Sequence, residues 1–264
     1  MFTWRHFVWL GICAIIATCL ILVYSKRRPP LTKVLNTAII VSILSETVKV
    51  FSVIIFVPSS SGDSFTPYMP LNHLPLHFCS IQILFILFVR FTSNAKWREN
   101  LLAFMYPTCA GGAVSALLMP SIFTTSTPVE KAFVSPMCYQ FFLFHTMLFV
   151  LAVIIVKSGE VKWKAVHLRN SLILIYVMGF ISLYINSVFA SPTYKDGELV
   201  SVDFVTNYFF TYKNPINLKL TAIWQWYIYL LILIAFTGIM VVLMYLPLII
   251  KSKKKTASPE EKRS

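Results

Sequence analysis

Residues 7–24 read FVWLGICAIIATCLILVY, an apolar run without a charged residue, with Arg5 before it and the basic triplet 26–28 after it. A helix that crosses a bilayer needs about 17–25 mostly apolar residues. Six further stretches meet or nearly meet this requirement, at 35–57, 76–92, 101–123, 138–156, 171–190 and 223–250. The sequence therefore predicts an all-α, polytopic membrane protein with seven transmembrane helices.

The composition excludes a soluble protein. Only 12% of the 264 residues are charged and 57% are hydrophobic, whereas soluble domains carry about 25% charged residues. The net charge of +13 could indicate a nucleic-acid partner. However, Lys and Arg lie between and after the apolar runs, without the aromatic-interleaved basic stripe typical of such proteins. We therefore expect contact with membrane lipid and no nucleic-acid partner.

The basic residues also predict the orientation, because cytoplasmic loops are enriched in Lys and Arg. Of the 23 Lys and Arg residues, 17 lie in the stretches 26–33, 90–98, 157–169 and 251–263, and five lie in the alternate stretches. This places the amino terminus outside and the carboxyl terminus in the cytoplasm. We expect a seven-helix membrane domain over residues 1–250 and a basic, disordered cytoplasmic tail over residues 251–264.

Ionisable residues inside a span are costly and therefore mark candidate functional sites. Glu46 and Lys49 lie three residues apart in the second predicted span and can pair on one helical face. Cys79 opens the third predicted span, and a thiol nucleophile needs a base nearby. His77 is two residues away and faces another side of the helix, so His145 in the fifth predicted span is the better base. Alternatively, the Cys79 thiol has no chemical role and only packs against other side chains.

On the predicted orientation these residues could share one outward-opening cavity. Asn186 lies near the outer end of the sixth predicted span, and Trp226 and Tyr227 lie at the outer start of the seventh. The tryptophan and tyrosine are equally typical of the aromatic belt at a membrane surface. Either His77 or Asn207 could donate to an oxyanion at Cys79.

Metal and cofactor chemistry find little support in the sequence. His73 and His77 have i, i+4 spacing close to Cys79, but Pro75 disfavours a helix across them and no second ligand pair follows. No phosphate-binding loop or dinucleotide fingerprint is present. The five cysteines are odd in number and lack C-x-x-C spacing, so a disulfide framework is not expected. We expect no metal and no cofactor.

Two motifs carry a resemblance to a known family. Residues 74–80 read LPLHFCS, and residues 207–215 read NYFFTYKNP, followed by WQWY at 224–227. With His145 and the seven-span count, the chain resembles the YwaF-type bacterial integral membrane family, which is similar to eukaryotic transmembrane acyltransferases acting on ether phospholipids. The resemblance covers nearly the whole chain and implies a multi-pass protein of a bacterial cell membrane.

The resemblance also implies an activity. In the eukaryotic relatives a cysteine carries the acyl group as a thioester with help from a histidine, and the matching residues here are Cys79 and His145. Further polar positions of the family pattern, without an assigned role, are matched by Glu46, His77, Asn186, Asn207 and Tyr208. We expect these five, with Trp226 and Tyr227, to bind substrate.

Two functions remain open at this point. The first is a transacylase that moves a fatty acyl group between lipids through a Cys79 thioester. The second is a non-catalytic seven-helix solute binder or permease that uses Glu46, Lys49, His77 and His145. The two hypotheses differ in the residue that matters most, Cys79 for the first and Glu46 for the second.

Overall fold

The computed structural model describes residues 2–59, 63–125, 127–214 and 221–257. The long helices are α1 (Trp4–Arg27), α2 (Leu31–Val53), α3 (Phe78–Phe91), α4 (Ala95–Leu118), α6 (Pro136–Ser158), α7 (Ala165–Val188) and α8 (Ile223–Ala257), and α5 (Ile122–Thr125) is a single turn. The all-α membrane fold and the seven long helices predicted from the sequence are confirmed. Residues 258–264 of the predicted tail and Pro215 of the second motif lie outside the described residues.

Six of the seven long helices are long and apolar enough to cross a membrane. The exception is α3, which has 14 residues instead of the 17 predicted over 76–92. It begins late because Pro75 follows a 3-10 turn at Leu71–His73, and it ends at Phe91, shortly before Asn94 caps α4. At the other end of the chain, α8 continues past residue 250 to Ala257.

Two β-hairpins lie between the long helices. The first pairs β1 (Ile55–Pro58) with β2 (Phe65–Tyr68), so α2 ends at Val53 and not at the predicted residue 57. The second pairs β3 (Ala190–Lys195) with β4 (Glu198–Phe204). Its turn residues, Asp196 and Gly197, have φ values of 51° and 83°, and Asp-Gly is a typical hairpin turn of this kind.

The chain forms two compact units. The first comprises Met1–Met69 and Cys79–Trp163, and the second comprises Pro70–Phe78 and Lys164–Ser264. In the first unit α6 packs against α1, α2 and α4. Trp9 of α1 stacks on Phe142 of α6 with ring centroids 4.8 Å apart, and the Trp9 indole N–H donates to the Ala132 carbonyl oxygen at 3.0 Å. This aromatic contact fixes α1 to α6.

In the second unit α7 packs against α8 through small residues and hydroxyl groups. The buried hydroxyls of Ser171 and Tyr245 are 2.7 Å apart. The Tyr176 hydroxyl donates to the Ile234 carbonyl oxygen at 3.1 Å and passes over Gly238. Close approach of this kind is common between membrane helices, where small residues allow good packing.

We predict that Gly238→Ala weakens the α7–α8 contact. The new Cβ would lie 2.5 Å from the Tyr176 hydroxyl oxygen, so the hydroxyl must move and lose its bond to Ile234. The loss of one such hydrogen bond is about 1 kcal/mol, and the melting temperature in detergent should fall by about 2–4 °C.

The matched control is Gly179→Ala in α7, where an added Cβ meets no atom within 4 Å. Its melting temperature should equal or exceed that of the wild type, because alanine favours helix over glycine. Equal melting temperatures for the two variants would contradict the assigned contact.

Candidate functional site

Cys79 is the second residue of α3 and is half-buried. The first N–H groups of a helix have no partner within the helix, and the helix dipole favours negative charge there. A thiolate at this position, and an oxyanion formed next to it, would both be stabilised by the same turn of backbone. Among the five cysteines, all of them free thiols, this placement suits Cys79 to nucleophilic chemistry.

Two buried polar groups accompany Cys79 that the sequence analysis missed. Gln82 follows one turn later on α3 and is fully buried. The thiol of Cys109 in α4, also fully buried, donates to the Gln82 side-chain oxygen Oε1 at 3.3 Å. The sequence signal that could have indicated Gln82 is a side-chain amide within the apolar run 78–91.

His145 lies buried on α6, in the same unit as Cys79. Its Nδ1 is 2.6 Å from the Phe141 carbonyl oxygen, and because a carbonyl only accepts, Nδ1 carries the proton. The neutral ring then has its basic lone pair on Nε2. No hydrogen bond joins His145 to Cys79 among those of the described residues, so their pairing as base and nucleophile stays a prediction.

Glu46 and Lys49 form the ion pair expected from their spacing. The Lys49 Nζ lies 2.5 Å from the Glu46 oxygen Oε2. Lys49 is buried, and its face of α2 also carries Ser45, whose hydroxyl accepts a bond from Gln140 of α6 at 2.8 Å. The pair is therefore part of the contact between α2 and α6.

Two acceptor atoms beside this pair have no protein partner within the described part of the chain. They are the second carboxylate oxygen of Glu46, Oε1, and the hydroxyl of the fully buried Ser42. The two residues are four apart on α2 and thus share a face. A buried polar atom without a hydrogen bond costs about 1–3 kcal/mol, so this position has unused capacity to bind a donor.

In the second unit Asn186 organises a segment that we call the aromatic loop, residues 206–214. The Asn186 side chain is fully buried at the end of α7. Its Nδ2 donates to the Tyr208 carbonyl oxygen at 3.0 Å and the Thr211 hydroxyl at 2.9 Å. Its Oδ1 accepts from the Thr206 hydroxyl and the Tyr208 N–H, both at 2.9 Å. All four hydrogen-bonding positions of the amide are thereby used.

Asn207 closes the same loop on itself. Its side-chain oxygen accepts from the backbone N–H groups of Tyr212 and Lys213, both at 3.1 Å, and its Nδ2 donates to the Lys213 carbonyl oxygen at 2.7 Å. Phe209 and Phe210 both have left-handed backbone, with φ values of 58° and 56°. Such a conformation costs a non-glycine residue about 1–2 kcal/mol, and the surrounding hydrogen bonds hold it in place.

Tyr208 connects the aromatic loop to the LPLHFCS motif. Burial raises the pKa of Tyr208 to about 12, so the hydroxyl keeps its proton and donates to the Leu71 carbonyl oxygen at 2.5 Å. His77 is exposed and packs edge-on against the Tyr208 ring, with centroids 4.8 Å apart. Its Nε2 is 2.8 Å from the Asn72 carbonyl oxygen.

The start of α8 supports the loop from a third side. The Trp226 indole N–H donates to the Thr211 carbonyl oxygen at 3.2 Å, and the Tyr229 hydroxyl donates to the Phe210 carbonyl oxygen. Tyr227 is exposed and packs against Trp226. Trp226 therefore has a bond within the protein, whereas Tyr227 has the exposure typical of an aromatic belt.

The predicted site residues thus fall into two groups, one in each unit. The first unit holds Cys79, His145, Glu46 and Lys49, and the second holds His77, Asn186, Asn207, Tyr208, Trp226 and Tyr227. In the second group the two asparagine side chains bind the protein's own backbone and hydroxyls. Their predicted contact with substrate remains a prediction.

The histidines near Cys79 are not arranged as a metal centre. His73 ends a 3-10 turn, and His77 lies beyond Pro75 and just before α3. Within the ranges the structure describes, no group of three or more His, Cys, Asp and Glu side chains is placed to hold a metal ion.

The sequence profile of the TMEM164 family matches residues 1–245. The chain belongs to the TMEM164 family. No curated protein matches the chain, and no solved structure matches it. TMEM164 proteins are transmembrane proteins, in agreement with the six apolar helices of membrane-spanning length.

Membership of the TMEM164 family confirms the multi-pass membrane protein that the sequence predicted. The matched region includes both motifs, LPLHFCS at 74–80 and NYFFTYKNP at 207–215. The YwaF-type bacterial family, the acyltransferase activity and the bacterial membrane stay predictions.

We predict that Asn186→Ala releases the aromatic loop. The change leaves the Thr206 hydroxyl and the Tyr208 N–H without the Asn186 oxygen that accepts from them, and each buried polar group without a partner costs about 1–3 kcal/mol. Hydrogen exchange at the Tyr208 amide should accelerate on the order of 10–100-fold, because local opening then needs less free energy.

Asn36→Ala serves as the control, since Asn36 is exposed on α2 and bonds Arg90 within the first unit. Exchange at Tyr208 should be unchanged in this variant. Unchanged exchange in Asn186→Ala as well would show that the amide does not hold the loop.

Proposed function

We propose that this TMEM164-family protein is a membrane-embedded transacylase that moves a fatty acyl group between lipids through a thioester on Cys79. The observation that carries the proposal is the position of Cys79 in the first turn of α3. There the helix N-terminus favours both the thiolate and the oxyanion that forms when it attacks an ester. Family membership and the LPLHFCS motif are consistent with the proposal.

The reaction is an exchange of one ester for another. His145 Nε2 takes the Cys79 proton, and the thiolate attacks the ester carbonyl carbon, so that a C–S bond forms and the carbonyl π electrons move to oxygen. The intermediate collapses, the C–O bond to the donor lipid breaks, and His145 returns the proton to the leaving oxygen. An acceptor hydroxyl then reverses these steps and regenerates the thiol.

The nitrogen that carries this proton is defined by the fold. Because Nδ1 of His145 donates to the Phe141 carbonyl oxygen at 2.6 Å, Nε2 is the basic position, as in other histidine bases oriented through Nδ1. A thioester keeps much of the acyl-transfer potential of the ester, so the exchange needs no cofactor.

The candidate residues of the second unit differ in their exposure, and we assign them different roles accordingly. We propose that exposed His77 and Tyr227 meet lipid head groups and that Trp226, Asn186, Asn207 and Tyr208 hold the aromatic loop. On the predicted orientation these groups lie at the outer face of a bacterial cell membrane.

The first test is whether Cys79 carries an acyl group in cells. Cells expressing the protein are fed an alkyne-tagged fatty acid, and the purified protein is examined by mass spectrometry before and after hydroxylamine, which cleaves thioesters. We expect a hydroxylamine-labile acyl group on Cys79 in the wild type and its loss in Cys79→Ala.

Cys19→Ala is the matched control, because the exposed Cys19 thiol on α1 is the obvious site of adventitious acylation. That variant should keep the Cys79 adduct. Replacement of His145 by Gln should change how much adduct accumulates. A wild-type protein of normal stability without an adduct on Cys79 would rule out the thioester mechanism.

A second candidate function is favoured by the unpartnered Glu46 Oε1 and Ser42 hydroxyl. A seven-helix binder or permease would use such acceptors, beside the Glu46–Lys49 pair, to hold a solute or to relay a proton. This function requires the ionisable groups on α2 and leaves Cys79 dispensable.

The double variant Glu46→Gln/Lys49→Met separates the two functions. It removes both charges together and so avoids an uncompensated buried charge, which would be strongly destabilising. We expect the amount of acyl adduct on Cys79 to be within about threefold of that in the wild type, because the thioester mechanism uses neither the Glu46 charge nor the Lys49 charge.

The single variant Glu46→Gln is the comparison. It leaves the buried Lys49 charge without its partner, so its melting temperature should fall. If the stable double variant loses a cellular transport phenotype that Cys79→Ser retains, the binder or permease is the correct assignment.

A further inference from the structure

Exposed basic side chains gather in the first unit where α1 ends, α2 begins and α6 ends. Some of them close α1, one lies in the first turn of α2, and one lies in the last turn of α6. We call this group the basic corner. Its members are Lys26, Arg27, Arg28, Lys33 and Lys157.

The three helix ends that form the basic corner are held together. The Lys157 Nζ donates to the Ser25 hydroxyl at 2.6 Å, which ties the end of α6 to the end of α1. Residues 28–30 are the whole connection between α1 and α2, and α6 packs against both of these helices. The basic corner is therefore one surface of a single compact unit.

Protein carboxylates do not neutralise the basic corner within the part of the chain that the structure describes. The ion pairs found there are Lys49 with Glu46 and Arg98 with Glu160. Glu160 lies just beyond the end of α6, but its oxygen Oε2 accepts from Nε and Nη2 of Arg98 at 3.1 and 2.9 Å. The charge of the basic corner is thus available to an anion from outside the chain.

The sequence places the basic corner at the edge of the hydrocarbon. Lys157 directly follows the apolar run 138–156, and Lys26 follows the run 7–24 after one intervening residue. This is the level at which phospholipids carry their phosphates. Clusters of about 4–8 Lys and Arg residues directly beside a membrane helix attract anionic lipids of the cytoplasmic leaflet, the leaflet that the predicted orientation gives to this end of the helices.

We propose that the basic corner binds the headgroup of an anionic phospholipid of the cytoplasmic leaflet. The guanidinium groups of Arg27 and Arg28 can each donate two hydrogen bonds to phosphate oxygens, and Lys33 and Lys157 add positive charge. The start of α2 has no side-chain cap, so its first N–H groups can also bind a phosphate.

This binding site is independent of the proposed transacylase. None of its residues belongs to the nucleophile, the base or the groups assigned to lipid contact in the second unit. The site would hold a lipid whether or not Cys79 carries an acyl group.

The test measures how lipids stabilise the purified full chain in detergent micelles. Dioleoyl phosphatidylglycerol and dioleoyl phosphatidylcholine have the same acyl chains, but the first has a net negative headgroup and the second is neutral overall. Each is titrated while the melting temperature is recorded, because a ligand that binds the folded state raises it. We expect phosphatidylglycerol to reach half of its effect at an about 10–100-fold lower mole fraction than phosphatidylcholine.

The variant Arg27→Gln/Arg28→Gln/Lys33→Gln removes most of the charge of the basic corner. Each basic residue near an anionic lipid surface contributes about fivefold in affinity, so the preference for phosphatidylglycerol should fall about 100-fold or disappear. Lys157→Met removes a single charge and should weaken phosphatidylglycerol binding about fivefold. This second variant covers the case in which the triple variant does not fold.

Lys253→Gln/Lys254→Gln/Lys255→Gln is the matched control, because it removes the same amount of charge from the end of α8 in the second unit. The preference for phosphatidylglycerol should persist in this variant. Equal losses in the two triple variants would show that total charge selects the lipid, and would overturn the basic corner as a site.

Two further results would also overturn the proposal. One is equal stabilisation of the wild type by phosphatidylglycerol and phosphatidylcholine. The other is stabilisation by inorganic phosphate at the same concentration as the lipid and to the same extent, since the site would then take a soluble anion and not a lipid headgroup.

Discussion

The absence of water from the hydrocarbon core is the constraint on which the structure depends. A polar group placed there must find its partner within the protein. Several buried polar residues have such a partner: Lys49 pairs with Glu46, Ser45 with Gln140, and Gln82 with Cys109. Buried groups that lack a partner, such as the Ser42 hydroxyl, are then the natural places to look for a ligand.

In the second unit one fully buried asparagine, Asn186, holds the aromatic loop. The aromatic loop follows β4 and has a 3-10 turn at Tyr208–Phe210. The Asn186 amide adds four hydrogen bonds to this turn and to the residues beside it. Phe209 and Phe210 can therefore hold left-handed backbone that would be unfavourable in an unsupported loop.

Helix existence could be predicted from the sequence, because 18 or more apolar residues in water-free surroundings have few alternatives to a helix. Helix ends were harder. The predicted extension of the second span to residue 57 was wrong, because Ile55–Pro58 pairs with Phe65–Tyr68. The hairpin at 190–204 had a sequence signal in Asp196-Gly197, flanked by residues such as Tyr194 and Val200 that favour strands.

The candidate site was predictable only in part, for a related reason. Glu46 and Lys49 pair along one helix, and local spacing was enough to predict the contact. Cys109 lies 27 residues from Gln82, and the partners of Asn186 lie 20 to 25 residues from it. Spacing along one helix carries no information about such contacts. The sequence identified Asn186 as a substrate-binding residue, which stays a prediction, but it did not indicate the four hydrogen bonds that the amide makes within the chain.

Because α3 is short, its length bears on how deep Cys79 lies in the membrane. Its 14 residues make a helix about 21 Å long, whereas the hydrocarbon core is about 30 Å thick. If Arg90 in the last turn remains at one surface, the first turn of α3 ends below the opposite one, and the bilayer or the protein must adjust to this hydrophobic mismatch. The thiol of Cys79 would then be recessed among acyl chains, below the level of the lipid ester groups and out of reach of bulk water.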